Sequence, residues 1–447
     1  MKKTIKLAVV AALALGATSA FATNGDVMIG QGAKSRAMGG VGIAKAFGAE
    51  SALANPANIS TTKDMEATLA VTVFMPSVAF GSNAASNTQA GGNVAPINMQ
   101  DSDSDLSVIP EIYYSARLSD RFVLGVAVAG TAGMGVDYDD EAFGTSASNG
   151  SFRMKTALSL LKVVVPASYT VGGFTVGAAA VMQYGSLEMS HIIDTSAPGN
   201  PNTGVPGTPP TAADFVLLDN GASTDIGYGI ELGATYTTGG LTLGAVYKSK
   251  IGMTYDNTIS SSIDAFGGAD ATGVKSGDNL DQPEERGVGI SYVMGENTIS
   301  ADYKNIAWGD AAGYADFGWE NQDVYAVGYE YATDGWALRA GYNYAKNPII
   351  EQNGNTYGGA VKNFFNLSGF PGVVETHYTL GGGINLGDFT IDGAFIYVPE
   401  TSLSYNTSGL TQAIAFNSGD GSGTAAASTA DVKHSQMGVT IAGTYRF

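Results

Sequence analysis

The sequence predicts an all-β fold: a transmembrane antiparallel β-barrel of about fourteen strands with an N-terminal hatch, or plug, in its lumen. Three observations support this prediction: hydrophobicity that alternates with a period of two, connections that alternate between short and long, and an unusual composition. Only 14% of the 447 residues are charged, whereas soluble globular proteins contain about 25%. Gly and Tyr are abundant, with 61 and 22 copies. A barrel with one face towards lipid and the other towards its lumen has such a composition.

The charge and the residue types exclude several other classes of protein. The formal net charge is −19, so the chain lacks the excess of basic residues that neutralises a nucleic-acid backbone. The absence of Cys excludes disulfide scaffolds and zinc ribbons. No apolar run of about 20 residues follows the N-terminus, which argues against a helical membrane protein.

The N-terminus has the features of a secretory signal peptide. Three lysines precede an apolar stretch over residues 7–15, and Ala20-Phe21-Ala22 provides a cleavage site with small residues. We therefore expect residues 1–22 to be removed on export and Thr23 to begin the mature chain.

From about residue 65 onwards, apolar side chains alternate with small or polar ones. Near the C-terminus, Met437, Val439 and Ile441 share one face. Gln436 and Thr440 lie on the other face, as in a barrel strand between lipid and lumen. The alternation predicts strands at residues 65–74, 106–118, 121–136, 157–171, 173–189, 223–238, 240–256, 284–294, 297–308, 323–333, 335–346, 374–386, 388–399 and 433–447.

The connections between these segments alternate strictly in length. Two-residue turns carrying Gly, Asp or Ser are predicted at 119–120, 172–173, 239–240, 295–296, 334–335 and 387–388. Long polar loops are predicted at 75–105, 137–156, 190–222, 257–283, 309–322, 347–373 and 400–432. This pattern favours a barrel with short periplasmic turns and long external loops over a soluble β-sandwich.

A fourteen-stranded barrel needs something to fill its lumen. Eight-stranded barrels are filled by their own side chains, whereas sixteen to eighteen strands leave an aqueous channel. Residues 23–64 are rich in Gly and Ala and precede the first strand, so they are predicted to form the hatch, with residues 65–447 forming the barrel. The alternative is a disordered or periplasmic tail.

Several motifs resemble those of one family of membrane proteins. They are Gln31-Gly32-Ala33-Lys34-Ser35-Arg36-Ala37-Met38-Gly39-Gly40, Asn55-Pro56-Ala57, residues 302–308 and residues 336–344. Together they resemble the long-chain fatty acid transporter (FadL) family of Gram-negative outer-membrane proteins, which includes aromatic-hydrocarbon channels. The resemblance implies a hatch-plugged fourteen-stranded barrel that captures hydrophobic molecules at its external loops. It also implies a lumen pocket and a sideways exit at a kinked third strand.

The residues for this route can be named. The third strand is Arg121–Val136, where Gly130, Gly133 and Gly135 predict a bend for the lateral exit or, alternatively, small-residue packing against the hatch. Asn55, Pro56 and Ala57 are predicted either to gate the hatch or simply to end the helical stretch Gly48–Leu53. External capture is expected at Phe215, Val216, Leu217 and Leu218, which could instead cap the barrel mouth.

A lumen pocket for an amphipathic acid needs apolar walls and a cation for the head group. If apolar faces point outwards, the inward residues with these properties are Leu158, Leu160, Lys162, Val164, Lys304, Ile306, Trp308, Ile396 and Val398. Alternatively, each lysine pairs with an inward carboxylate such as Glu231 or Glu330. A register slip of one residue would reverse all these assignments.

The function expected from the residues and the resemblance is ligand-gated passive uptake of hydrophobic compounds by a monomer in contact with lipid and lipopolysaccharide. Long-chain fatty acids are the first expectation, and aromatic or alkane hydrocarbons are the second. The rivals are a general porin, a barrel enzyme such as a lipase, and a surface adhesin or phage receptor. No G-x-S-x-G motif occurs and the three His are scattered, so no catalytic residue, cofactor or metal site is expected.

Overall fold

The computed structural model describes residues 24–83, 97–139, 153–194, 215–411 and 427–447; the predicted signal peptide lies outside these ranges. In these ranges there are sixteen strands: β1 (Met65–Ser82), β2 (Ile97–Asp101), β3 (Ser107–Arg117), β4 (Phe122–Asp139), β5 (Arg153–Val171), β6 (Phe174–Asp194), β7 (Phe215–Asp219), β8 (Ser223–Thr238), β9 (Leu241–Lys248), β10 (Glu285–Met294), β11 (Asn297–Ile306), β12 (Gln322–Ala332), β13 (Trp336–Ala345), β14 (Thr376–Leu386), β15 (Phe389–Asn406) and β16 (Thr429–Arg446).

Fourteen of these strands form a closed antiparallel barrel. Each pairs with the next around the wall, and β16 pairs with β1 to complete the circuit. The short strands β2 and β7 lie off the circuit and pair with β1 and β6. The predicted antiparallel β-barrel and the predicted number of barrel strands are therefore confirmed.

The helices of the described residues are short. They include α1 (Gly32–Ala37), α2 (Ile259–Asp264), α3 (Gly268–Thr272), α4 (Tyr357–Ser368) and the 3-10 helices Gly48–Leu53, Pro56–Thr61 and Trp308–Asp310. None of the helices in the described ranges has the length and apolar character needed to cross a bilayer.

The alternation along each strand separates lipid-facing from inward-facing residues. On β12, Tyr325 and Val327 are exposed, whereas Val324, Ala326 and Glu330 are buried. The same alternation holds on β13 and along the C-terminal strand, in the register that the sequence predicts.

The wall differs from the prediction after β9. The predicted strand 240–256 ends at Lys248, and Ile251 and Met253 lie buried beside Gly227 and Gly229 of β8. The period-two alternation continues past Lys248, but its apolar side chains turn inwards instead of facing lipid. Periodicity alone does not tell which environment buries an apolar face.

The segment Asn24–Thr62 contacts inward-facing residues on several sides of the wall. Carboxylates of Glu111 on β3 and Asp302 on β11 accept backbone N–H groups of the segment at 2.7–2.9 Å, and Thr379 of β14 accepts another at 2.9 Å. Most of the segment is buried.

Glycines on the inner wall allow the segment to approach the strands closely. A Cβ added at Gly341 of β13 would lie 2.1 Å from the backbone nitrogen of Gly39. One added at Gly328 of β12 would lie 2.6 Å from the carbonyl oxygen of Met38. Part of the Gly excess in the composition is therefore explained by backbone-to-backbone packing.

Candidate functional site

The predicted apolar pocket residues are all buried, but they form two groups. Leu158, Leu160 and Val164 of β5 belong to one large cluster with Ile306 and Trp308. A separate small cluster contains Ile396 and Val398 of β15 together with Ile29 and Val374. The structure therefore brings the first set together beside Lys162 and Lys304 and leaves the β15 residues in a second place.

A row of charged side chains crosses the inner wall next to the large cluster. Glu231 on β8, Lys248 on β9 and Glu285 on β10 are successive cross-strand neighbours, and Ile306 on β11 follows them. Lys248 Nζ lies 3.2 Å from Glu285 Oε2. Sequence reasoning missed Lys248 and Glu285, although the outward register of Tyr247 would have placed Lys248 inwards.

The two lysines that the sequence singled out differ in their partners. Lys162 Nζ lies 4.0 Å from Glu231 Oε1, at the limit of an ion pair. Among the described residues, no carboxylate forms an ion pair with Lys304. Glu330, which the sequence offered as a partner, is instead bound by Lys45 and Arg339, each at 2.7 Å. On this part of the wall, Lys248 therefore has a close carboxylate partner, whereas Lys162 and Lys304 do not.

The N-terminal segment brings a buried acid to the same region. Asp26 Oδ2 accepts hydrogen bonds from Tyr314 Oη and, at 3.0 Å, from Gln282 Nε2. Burial raises the pKa of the Asp26 carboxyl to about 6, and both hydrogen bonds and the charge of Lys162 oppose that rise. Sequence reasoning missed Asp26, because its environment is built by loops distant in sequence.

Three aromatic rings pack beside this acid. The ring centroids of Trp308, Tyr314 and Trp319 lie 4.6–5.2 Å apart. Trp308 and Trp319 pack so closely on Gly25 that a Cβ added there would lie 2.6 Å from Trp308 Cζ2. Gly25 and Asp26 form the tip of the N-terminal segment. The three rings join this tip to the connection between β11 and β12.

The third barrel strand, β4, is irregular where the sequence predicts it. Its register with β5 shifts between Gly130 and Ala132. Its pairing with β3 ends at Ala129, and beyond that point the N-terminal segment takes the place of β3. There Thr131 O accepts Met28 N–H at 3.1 Å.

The two other glycines of this strand fit both interpretations of the motif. Gly133 N–H donates to Asp26 O at 3.0 Å, and Gly135 is buried. A bend in β4 and close packing against the N-terminal segment therefore occur at the same place.

The Asn55-Pro56-Ala57 turn connects two 3-10 helices and packs against the wall. Asn55 Oδ1 accepts Ala57 N–H at 3.0 Å and caps the second helix, while Asn55 Nδ2 donates to Ile43 O at 2.7 Å. A Cβ added at Gly233 of β8 would lie 1.8 Å from Asn55 Oδ1. The turn thus ends the helical stretch Gly48–Leu53 and fixes the segment to the barrel.

The residues predicted for external capture belong to β7. This strand, Phe215–Asp219, pairs with the C-terminal end of β6, past the part of β6 that pairs with β8. Leu217 and Leu218 are half-buried. The predicted loop at residues 190–222 is therefore partly a β-ladder.

Several solved structures share this fold. A Pseudomonas aeruginosa FadL homologue has a TM-score of 0.66 and 16% identity, covering 95% of this chain and 100% of that one. The Pseudomonas putida toluene transporter TodX has a TM-score of 0.65 and 19% identity, covering 95% and 100%. For the Ralstonia pickettii toluene transporter TbuX the values are 0.58, 19%, 94% and 99%.

A curated relative matches a short part of the sequence. Over 64 residues the chain is 45% identical to an uncharacterized Chlorobium limicola protein from the 5' region of the phosphoenolpyruvate carboxykinase gene. The match covers 14% of this chain and 32% of that relative, so the chain spans about a third of the relative's length.

The family model described as outer membrane protein transport protein (OMPP1/FadL/TodX) matches residues 8–357. The match spans most of the chain, including the motifs at residues 31–40 and 336–344, and confirms the resemblance that they indicate. This chain belongs to the OMPP1/FadL/TodX family of outer-membrane transport proteins.

Proposed function

We propose that this outer-membrane channel for hydrophobic compounds takes up long-chain fatty acids by ligand-gated passive diffusion. The observation that carries the proposal is the weak pairing of two lysines beside the apolar cluster. Lys162 Nζ lies 4.0 Å from Glu231 Oε1, and Lys304 has no ion-pair partner among the described residues. A carboxylate head group would supply a close partner for these two lysines, since a buried cation is costly without one. The alkyl chain would lie against Leu158, Leu160, Val164, Ile306 and Trp308.

The proposed route begins at the external loops, where Phe215–Leu218 would contact the substrate first. Residues 23–64 would act as the hatch, held in part by the Asn55-Pro56-Ala57 turn. The exit would open sideways beyond Ala129, where the β3–β4 pairing ends and the tip of the hatch borders β4 as far as Gly133. Displacement of Asp26 and Met28 from Gly133 and Thr131 would create that opening.

Aromatic hydrocarbons are a second candidate substrate class. The ring cluster of Trp308, Tyr314 and Trp319 favours them, because aromatic rings pack well against one another at these distances. Two of the similar structures are toluene transporters. An uncharged hydrocarbon would use the apolar cluster without needing the lysines.

The experiment compares uptake of oleate and toluene by cells that carry Lys162→Ala and Lys304→Ala together. We expect oleate uptake to fall about tenfold, because a charge-assisted contact contributes about 1.5–3 kcal/mol, and toluene uptake to be nearly unchanged. Lys250→Ala is the matched control, since Lys250 is half-exposed and pairs with Asp281 at 3.1 Å in an external connection.

Equal losses for oleate and toluene would refute the head-group role of the lysines. If uptake of neither substrate falls, the pocket lies elsewhere. Toluene uptake without oleate uptake by the unmodified protein would select the second candidate. Identification of lipids that co-purify with the protein provides an independent test.

A further inference from the structure

Four inward-facing residues of β5 and β6 form the corners of a patch on the wall next to Lys162. Lys162 and Gln183 are direct cross-strand neighbours, and so are Leu160 and Gly185. On neighbouring strands, facing side chains lie about 5 Å apart and diagonal ones about 7–8 Å apart. A small polar group at the centre of this patch would therefore be near all four corners.

Residues 249–255, which follow β9, bring a phenol group to the same patch. The backbone N–H of Tyr255 donates to Asp278 O at 2.8 Å and holds this end of the stretch in place. A Cβ added at Gly185 would lie 2.1 Å from Tyr255 Oη. The phenol oxygen therefore lies over Gly185, where the absence of a side chain makes room for it.

The polar atoms around the patch lack hydrogen-bond partners. Gln183 and Tyr255 are fully buried. Within the described residues, Gln183 Oε1, Gln183 Nε2 and Tyr255 Oη form no hydrogen bond. The nearest carboxylate oxygen that pairs with Lys162 Nζ is Glu231 Oε1, at 4.0 Å. Because buried polar atoms are nearly always paired, these atoms mark a place where a polar group of a ligand would bind.

We propose that Gln183 and Tyr255 are specificity-determining residues that bind the carboxylate head group of a fatty acid together with Lys162. The ammonium, Gln183 Nε2 and Tyr255 Oη are three donors, and a carboxylate accepts through two oxygens with about four lone-pair sites. A second N–H of the ammonium is then available to Gln183 Oε1. An uncharged ester lacks the negative charge that makes these hydrogen bonds strong.

Apolar groups enclose the patch and would hold the alkyl chain. The members of the large cluster at this place are Leu160, Val181, Met253 and the ring of Tyr255. Gly227 of β8 is the other cross-strand neighbour of Gln183, and a Cβ added there would lie 2.4 Å from Ile251 Cγ2. The donors therefore lie among groups that exclude water, where a hydrogen bond to a charged group is stronger. This inference rests on the proposed uptake of fatty acids and adds two residues to the lysines.

The test measures the binding of radiolabelled oleate and methyl oleate to the purified protein by equilibrium dialysis, with protein-free detergent as the blank. The two probes share one alkyl chain and differ in the head group. Tyr255→Phe and Gln183→Met remove polar atoms that have no described partner, so the barrel should tolerate each change. We expect each variant to raise the dissociation constant for oleate about tenfold, as for a lost hydrogen bond to a charged group, with methyl oleate binding nearly unchanged.

A third variant gives a result that a merely structural role would not produce. In Gln183→Glu the new carboxylate would pair with Lys162 and repel oleate, so oleate should bind more weakly than to Gln183→Met, while methyl oleate binding is kept. Gln436→Met is the matched amide control on β16, where Gln436 is also buried. Tyr405→Phe is the phenol control, since Tyr405 Oη donates to Ile349 O at 2.8 Å. Both controls should bind oleate as the unmodified protein does.

Equal weakening of both probes by Tyr255→Phe or Gln183→Met would overturn the proposal, because the two residues would then affect only the shape of the pocket. Oleate binding that falls in the Lys162→Ala, Lys304→Ala protein but not in these two variants would also overturn it, and the fatty-acid proposal would stand. Unmodified protein that binds oleate no better than methyl oleate would contradict both proposals.

Discussion

At the scale of single residues, Asp26 makes the contacts of the N-terminal segment depend on pH. Burial raises the pKa of its carboxyl to about 6, above the ordinary value of 3.8. The docked segment therefore holds the proton more tightly than a released one. The contribution of Asp26 to binding of the segment to the barrel wall is therefore largest below about pH 4 and is lost as the pH rises through about 6. The free energy of this binding changes by about 3 kcal/mol in total.

We expect the fluorescence of Trp308 and Trp319, which pack on Gly25, to change between pH 5 and pH 7.5 as the tip of the segment loosens. Asp26→Asn should remove this change, because the amide does not titrate. Asp278→Asn is the control, since hydrogen bonds lower the pKa of Asp278 and keep it ionised throughout this range. An identical pH response in the Asp26→Asn protein would contradict the prediction.

Single residues also show what the sequence can and cannot predict. Period-two alternation placed Lys162 and Ile306 inwards, because the pleat of a strand fixes the side of every second residue. Their partners were harder to predict: Glu330 was a candidate ion-pair partner, but Arg339 and Lys45 bind it. Which inward residues meet depends on strand stagger and on the N-terminal segment, and neither leaves a local signal in the sequence.

At the scale of elements, most strands and the short turns between them were predictable, whereas the structure of the long connections was not. Helix α4 lies in a region predicted as a loop, where Phe364, Phe365 and Leu367 are buried. Its helical signal is short, and its stability comes from packing over the barrel rather than from propensity. The irregularity of β4 was predictable because Gly residues inside a strand permit a register shift.

The bend in β4 leads to a prediction about transport. Gly133→Leu should add a bulky side chain beside the tip of the N-terminal segment and slow uptake severalfold, while the barrel stays folded. Uptake of labelled substrate is measured together with the heat-modifiable mobility of the folded barrel on gels. Gly393→Leu is the control, because its side chain would join the lipid-facing residues Ile391 and Phe395 of β15. Normal uptake by the Gly133→Leu protein would argue against a lateral exit at this strand.

At the scale of the whole molecule, the barrel and its N-terminal segment are joined by ionic contacts at several points of the wall. Arg36 pairs with Glu111 on β3, and Lys45 pairs with Glu330 on β12. Lys34 lies between Glu50, at 2.7 Å, and Asp392 on β15, at 3.5 Å. Because breaking a buried pair is strongly destabilising, a movement that keeps these contacts and displaces only the tip at Asp26 requires less free energy than release of the whole segment.

This arrangement leads to a prediction about the ion conductance of the barrel. Deletion of residues 23–64 should give steady conductance in planar bilayers, because the interior of a fourteen-stranded barrel would then lack its filling. The unmodified protein should conduct little. Gly341→Leu should leak to an intermediate degree, since its side chain would displace Gly39 from β13, and Gly393→Leu again serves as the control. If the unmodified protein already carries large steady currents, or if the deletion changes nothing, the segment is not a plug and the general-porin alternative gains support.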